Sequence, residues 1–181
     1  MLLRKLRKGD APLMLEWMHD PDVTAGLGKD FAHMTLEDCL AFIGSAQDDA
    51  PDVHRAIVDE NDEYLGTVSL KHLNKENGSA EFAIVVRKAA MGRGYARQGM
   101  GEIINLGFSQ KGLKAVYWNV KADNVRAIRF YNKGGHRQVS CAQLIEDGID
   151  PHEGGYSDEQ IDGFAWYEAR SEEDGSALWK I

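Results

Sequence analysis

Residues 91–102 read MGRGYARQGMGE, four glycines and two arginines set directly behind the apolar run FAIVV. A strand that ends in a glycine-rich turn and passes into a helix makes an anion site. The first amide N–H groups of the helix lack intrahelical partners and carry partial positive charge. Gly92 and Gly94 let a phosphate approach the backbone where a Cβ would obstruct it, and Arg93 and Arg97 add charge. A tight strand-to-helix turn without any ligand would leave the same pattern. Spacing narrows the choice of anion. A P-loop ends in Gly-Lys-Ser/Thr, which is absent. A dinucleotide fingerprint needs G-x-G-x-x-G, whereas Gly92 opens G-R-G-Y-A-R. The strand before the turn also follows an antiparallel hairpin instead of opening a βαβ repeat, so both nucleotide readings weaken.

The charge of the chain supports an anion at this place. The formal net charge is -8, yet residues 87–137 hold eleven Lys or Arg against two acids, Glu102 and Asp123. A basic middle inside an acidic remainder suggests an anionic ligand for the first and a cationic one for the second, although helix faces carrying Lys and Arg would look alike. The overall balance speaks against nucleic acid or an anionic membrane as partner. No run approaches the roughly 18 apolar residues of a membrane helix, and the start MLLRKLRKGD is too short in apolar residues for a signal peptide. A cytoplasmic location is expected. The two cysteines, Cys39 and Cys141, are too few for a disulfide framework, and the six histidines show no metal-ligand spacing, so no metal is expected.

The elements that must position the turn follow from periodicity. With 181 residues and 43% apolar content, the chain is expected to be one domain over residues 1–181. LLRKLR reads as a strand, followed by a helix capped by Asp10 with Pro12 in its first turn and ending at Asp20-Pro21. Thr35-Leu36-Glu37-Asp38 nearly matches a capping box and starts a second helix. HRAIVDE, YLGTVSLKHL and AEFAIVV read as three strands joined at Asn61-Asp62 and Asn77-Gly78. Ala96, Met100, Ile103, Ile104, Gly107 and Phe108 recur at helical spacing up to about Gly112. The strand AVYWNV, a helix from near Asn124 to Gly134-Gly135, a strand HRQVSCAQLI and a late strand FAWYEAR complete the order. The polar, glycine-bearing stretch between the last two reads as a loop. The result is an α/β domain with a mixed sheet, antiparallel early and with one parallel crossover around the glycine stretch.

The run AEFAIVVRKAAMGRGYARQGMGEIINLGF resembles the acetyl-CoA motif of the GNAT superfamily of N-acetyltransferases, in particular its RimJ/RimL-like branch. Members carry Q/R-x-x-G-x-G/A after the fourth strand; here Met91-Gly92-Arg93-Gly94-Tyr95-Ala96 aligns, with Met91 departing from Gln/Arg. A second stretch, from Asn124 to Gly135, resembles N-x-x-A-x-x-x-Y-x-K-x-G, and His136 stands where the family usually has an aromatic. The resemblance covers residues 1 to about 140 in element order, with motif specificity confined to residues 80–136.

The resemblance implies a GNAT-like sheet with antiparallel N-terminal strands, a splayed parallel pair of fourth and fifth strands, and helices on both faces. The pantetheine arm of acetyl-CoA would lie in the splay, paired with backbone groups of Ile84, Val85 and Val86. Gly92, Arg93, Gly94, Tyr95, Ala96 and Arg97 would cradle the pyrophosphate. Asn124 caps the next helix by its type, and the resemblance adds a place beside the pantetheine. Tyr131, two turns further on the same helix face, would protonate the departing thiolate. Glu81 is the implied general base, with a solvated strand-edge charge as the competing reading. Asn119 stands where some relatives carry a second Glu; it cannot act as a base, but it can orient substrate. Tyr117, Trp118, Trp166 and Tyr167 read either as walls of an acceptor pocket or as core.

These readings give an N-acetyltransferase that moves an acetyl group from acetyl-CoA, as cosubstrate, to a primary amine by direct attack in a ternary complex. The acceptor would be a small molecule or an N-terminal amine, held by residues 10–47 and 147–163. A homodimer fits the family. The rivals are a non-catalytic acyl-CoA-binding module and a nucleotide-binding α/β protein.

Overall fold

The structure is a computed structural model and describes residues 2–47 and 50–171. Chain order is β1 (Leu3–Arg4), a 3₁₀ turn (Lys8–Asp10), α1 (Ala11–Met18), α2 (Pro21–Thr24), α3 (Leu36–Ser45), β2 (Val53–Val58), β3 (Tyr64–Asn74) and β4 (Ser79–Val86). A second 3₁₀ turn (Lys88–Ala90) then leads to α4 (Tyr95–Lys111), β5 (Ala115–Lys121), α5 (Val125–Lys133), β6 (Arg137–Val139) and α6 (Cys141–Glu146). A third 3₁₀ turn (Pro151–Gly154), α7 (Asp158–Asp162) and β7 (Phe164–Arg170) close the chain.

One seven-stranded sheet runs β1-β2-β3-β4-β5-β7-β6. Every neighbouring pair is antiparallel except β4 and β5. Strand alternation divides the core. On β4 and β5, Ala80, Phe82, Val116, Trp118 and Val120 face α4 and α5, where they join Met100, Ile103, Ile104 and Tyr131. On the opposite face, Tyr117 packs with Leu144, Ile149, Ile161 and Trp166, while Val85 meets the separate cluster of α1 and α3. Burial of Met100, Ile103 and Ile104 contributes roughly 1.5–3 kcal/mol each and seats α4 against the sheet. Gly99 makes that seat possible, since a Cβ there would lie 2.8 Å from Ile57 Cδ1.

Several local expectations need correction. The first strand is two residues long, because the Arg4 guanidinium turns to clasp Asp10 at 2.8 Å and Asp62 at 2.6 Å. Asp10 does not cap α1 through its side chain; that carboxylate binds Arg4 and accepts from the Arg7 amide at 2.8 Å. Asp20-Pro21 ends α1 but also starts α2, with Asp20 accepting from Asp22 N. The capping box at Thr35 forms with Asp38. HRQVSCAQLI is no continuous strand: after Val139, the Ser140 side chain accepts from Gln143 N and turns the chain into α6. The stretch read as a loop before β7 holds a 3₁₀ turn capped by Asp150 and α7 capped by Ser157.

Candidate active site

The β4/β5 pair is the feature on which the site depends. Its parallel register runs Ser79 to Ala115, Ala80 to Val116 and Glu81 to Tyr117, and then stops. Both strands continue, β4 to Val86 and β5 to Lys121, without further pairing to each other. From Ala83 onward, the β4 edge toward β5 is therefore open. Ile84, Val85 and Val86 line the resulting cavity of about 680 Å³.

The glycine stretch forms the mouth of that cavity. Gly92 and Gly94 have φ of 75° and 87°, the left-handed region that L side chains rarely adopt, and nothing lies within 4 Å of a Cβ built on either. Gly94 is the N-cap of α4. The first intrahelical bond is Gln98 N to Gly94 O at 3.1 Å, which leaves the amides of Tyr95, Ala96 and Arg97 for a ligand. Gly92, Gly94, Ala96 and Arg97 line the cavity. Arg93 and Tyr95 are not among its lining residues; the Arg93 guanidinium stacks over the Tyr95 ring at 5.2 Å. This backbone concavity with surplus donors fits a pyrophosphate.

Ion pairs fix the turn from behind. Arg87, at the end of β4, donates to Glu16 of α1 at 3.0 Å and to Glu63 at 2.7 Å, and Lys88 reaches Asp22 of α2 at 2.5 Å. These contacts draw the segment around α2 over the cavity, where Asp22, Val23 and Gly26 join the lining. Gly26 comes so close that a Cβ would lie 2.3 Å from Asn124 Nδ2. Sequence reasoning missed this roof, because no local pattern links Gly26 to a residue on the far side of the sheet.

Asn124 caps α5, accepting from Ala127 N at 3.1 Å, and also lines the cavity. Tyr131 lies on the same wall and is 6% exposed. Its ring packs with Tyr167 at 5.2 Å and Trp118 at 5.4 Å. Burial, assisted by Tyr167, pushes its phenol above the ordinary tyrosine range, and no side-chain hydrogen bond among the described residues holds its hydroxyl. His136 fills the place of the family aromatic, packing on Trp118 and Tyr131 at 5.6 Å each. Burial, with Arg97 nearby, lowers its pKa to about 4, so the ring is neutral at pH 7.

Glu81 lies on the other face of the sheet and outside the cavity lining. Its side chain is 3% exposed, which removes the solvated strand-edge reading. It accepts from Tyr156 Oη at 2.6 Å and from Lys71 Nζ at 3.1 Å. Asn119 is also outside the lining and faces Tyr156. Tyr117, Trp118, Trp166 and Tyr167 are all buried within the core clusters. Tyr156 and Lys71 were not legible as site residues; the one available signal was a tyrosine directly after Gly154-Gly155 in an otherwise polar stretch.

Among the described residues, no group of three or more His, Cys, Asp or Glu is arranged to hold a metal, and no helix is long and apolar enough to cross a membrane.

Comparisons with known proteins agree with this geometry. The chain is 26% identical over 135 residues to an uncharacterized N-acetyltransferase p20 of Bacillus licheniformis, covering 73% of this chain and 76% of that protein. It is 28% identical over 91 residues to a spermidine N(1)-acetyltransferase of Vibrio cholerae, covering 50% of this chain and about half, 51%, of that relative. The fold superposes with a TM-score of 0.68 on a crystal structure of spermidine N-acetyltransferase from Vibrio cholerae in complex with CoA and spermine, at 20% identity over 76% of this chain and 80% of that one. The family model described as an acetyltransferase (GNAT) domain matches residues 1–137. With a splayed parallel strand pair, a glycine cradle at its mouth and that match across most of its length, the chain belongs to the GNAT acetyltransferases, N-acetyltransferases that use acetyl-CoA.

Proposed function

We propose that the protein transfers the acetyl group of acetyl-CoA to a primary amine by direct attack in a ternary complex, and that the preferred amine is cationic. The observation that carries this reading is the gap itself. One strand edge, Ile84 to Val86, is open to an extended arm, with the cradle of Gly92 to Arg97 at one end. Tyr131 stands on one face of the gap, and the Glu81 carboxylate stands at its root on the other. An amine arriving from the Glu81 side would meet a thioester whose sulfur lies toward Tyr131. The phenol, kept protonated by burial, can donate to the leaving thiolate. Asn124 would orient the arm while capping α5. Residues 10–47 and 147–163 would form the acceptor side, and their acidic character favours a positively charged amine. The curated relative acting on spermidine points the same way.

A thiol-release assay with acetyl-CoA and a panel of amines tests the reading. Spermidine, spermine, a peptide with a free N-terminus, an aminoglycoside and an amino sugar cover the classes. CoA binding by calorimetry without release from any of them would convert the protein into a non-catalytic acyl-CoA-binding module.

A further inference from the structure

A cluster of polar side chains around the buried Glu81 carboxylate sits at the root of the β4/β5 gap, outside the cavity lining. Glu81 occupies the last paired position of β4, and Asn119 lies two residues beyond the last paired position of β5. Tyr156 bridges them. Its hydroxyl donates to Glu81 Oε1 at 2.6 Å, and the Asn119 side chain faces the same hydroxyl. Lys71 Nζ donates to the same Glu81 Oε1 at 3.1 Å, a charge-assisted contact. Glu81 Oε2 is buried and has no hydrogen-bond partner among the described residues; His72 Nε2 stands 3.7 Å away, and Gly154 covers it from the late segment. Tyr156 itself is only partly buried, with its ring held edge-on by Phe164 and Trp166 at 5.5 and 6.0 Å.

This arrangement poses a problem for Glu81 as a base. A carboxylate 3% exposed and covered by another chain segment has no surface to offer an incoming amine. The phenol that covers it does. Tyr156 is also placed where the strands separate, the point at which an arm lying along Ile84 to Val86 would end.

We propose that Tyr156 is a catalytic relay, through which Glu81 takes the proton of the attacking amine; this rests on the N-acetyltransferase reading above. The neutral amine nitrogen forms a C–N bond to the thioester carbonyl carbon. Its N–H proton passes to the Tyr156 oxygen as the Tyr156 proton crosses to Glu81 Oε1. The C–S bond breaks, and the thiolate takes a proton from Tyr131. Glu81 is left protonated and Tyr131 ionised, and exchange with solvent restores both. Asn119 has the positioning role: its amide donates to the Tyr156 oxygen and leaves the phenol proton directed at Glu81.

Tyr156→Phe tests the relay, because it keeps the ring against Phe164 and Trp166 and removes only the hydroxyl. With spermidine as first probe amine and a free-N-terminus peptide as second, kcat should fall about 10²-fold, with CoA affinity unchanged and the protein still folded at the assay temperature. Glu81→Gln should lower kcat to a similar extent. The double variant should be no slower than Glu81→Gln alone, since both changes cut one path. Should Tyr156→Phe fold poorly, Asn119→Ala carries the test, with a smaller drop in kcat and the same loss of additivity with Glu81→Gln. Losses that multiply in the double variant, or a wild-type rate in Tyr156→Phe, overturn the relay while the enzyme reading stands. A wild type that releases no thiol with any amine overturns both.

Discussion

Glu81 and Tyr131 stand on opposite faces of the sheet, beside the point where the parallel pairing of β4 and β5 ends. Glu81 makes the last β4/β5 pair with Tyr117. Tyr131 packs on Trp118, the next residue of β5, whose side chain faces the other way. A continuous sheet would keep two such groups apart, because the backbone ladder between them is impermeable. Beyond Glu81 the two strands no longer pair, and Ile84, Val85 and Val86 line a cavity on which Tyr131 also lies.

The first prediction concerns the tyrosine. Tyr131→Phe should lower kcat by about 10²-fold and leave CoA affinity within a factor of two or so. The ring still fills its place beside Trp118 and Tyr167, so stability should change by less than about 1 kcal/mol. Thiol release and calorimetry on the same preparation check it. An equal loss in CoA binding and in turnover would show instead that the hydroxyl serves only to hold the arm.

A second prediction separates the cradle from the chemistry. Gly94→Ala forces a Cβ into a left-handed conformation at a cost of about 1–2 kcal/mol, and places a methyl where a phosphate would approach. CoA affinity should drop at least about tenfold, while the fold stays intact. Gly99→Ala gives the contrast: its Cβ meets Ile57 Cδ1 at 2.8 Å in the core, so stability should suffer first. If Gly94→Ala binds CoA as the wild type does, the cradle is misplaced.

How much of this was legible before the structure depended on the range over which each feature is encoded. The β3/β4 hairpin, α4 and the glycine turn follow from periodicity and from the steric freedom of glycine, which act within a few residues. The end of the sheet did not, because Val139 and the apolar residues beyond it suit a strand as well as a helix. The decision falls to the Ser140 cap and to the burial of Leu144. Tyr156 was invisible for a different reason. Its partner Glu81 is 75 positions away, and a polar glycine-bearing stretch carries no signal for which of its residues folds back. The contact between Gly26 and Asn124 was hidden in the same way.

The acceptor prediction follows from charge. Acids near the first helices and in the late segment should draw a polycation, but partners already neutralise part of that field. Asp22 is bound to Lys88, and Asp147 to Arg170. The remaining attraction acts through water and is screened beyond about 10 Å at 0.1 M salt. The KM for spermidine should therefore rise several-fold between about 0.05 and 0.5 M salt, with kcat little changed. A monoamine should show a smaller rise. A flat response for spermidine would remove electrostatic selection from the account.

The last prediction turns on His136, whose ring closes the aromatic wall around Tyr131. In the folded protein, burial and then Arg97 hold its pKa at about 4, against 6.5 for the free side chain. Between those values the unfolded chain binds a proton that the folded chain refuses. Its contribution to stability is thus complete above pH 6.5 and is lost as pH falls through about 4. The ceiling is about 1.4 kcal/mol for each pH unit separating the two values, and partial exposure of the ring reduces the amount realised to about 1 kcal/mol in all. Burial also lowers the pKa of His54, so an acid-dependent slope in the wild type alone would not identify its source. His136→Phe isolates it, since the substitution keeps an aromatic ring against Trp118 and removes the titration. Urea unfolding at pH 7 and pH 5 should show the variant losing less stability than the wild type over that interval, by about 0.6 kcal/mol. Equal losses in the two proteins would mean that the ring accepts its proton as readily in the folded wall as in water.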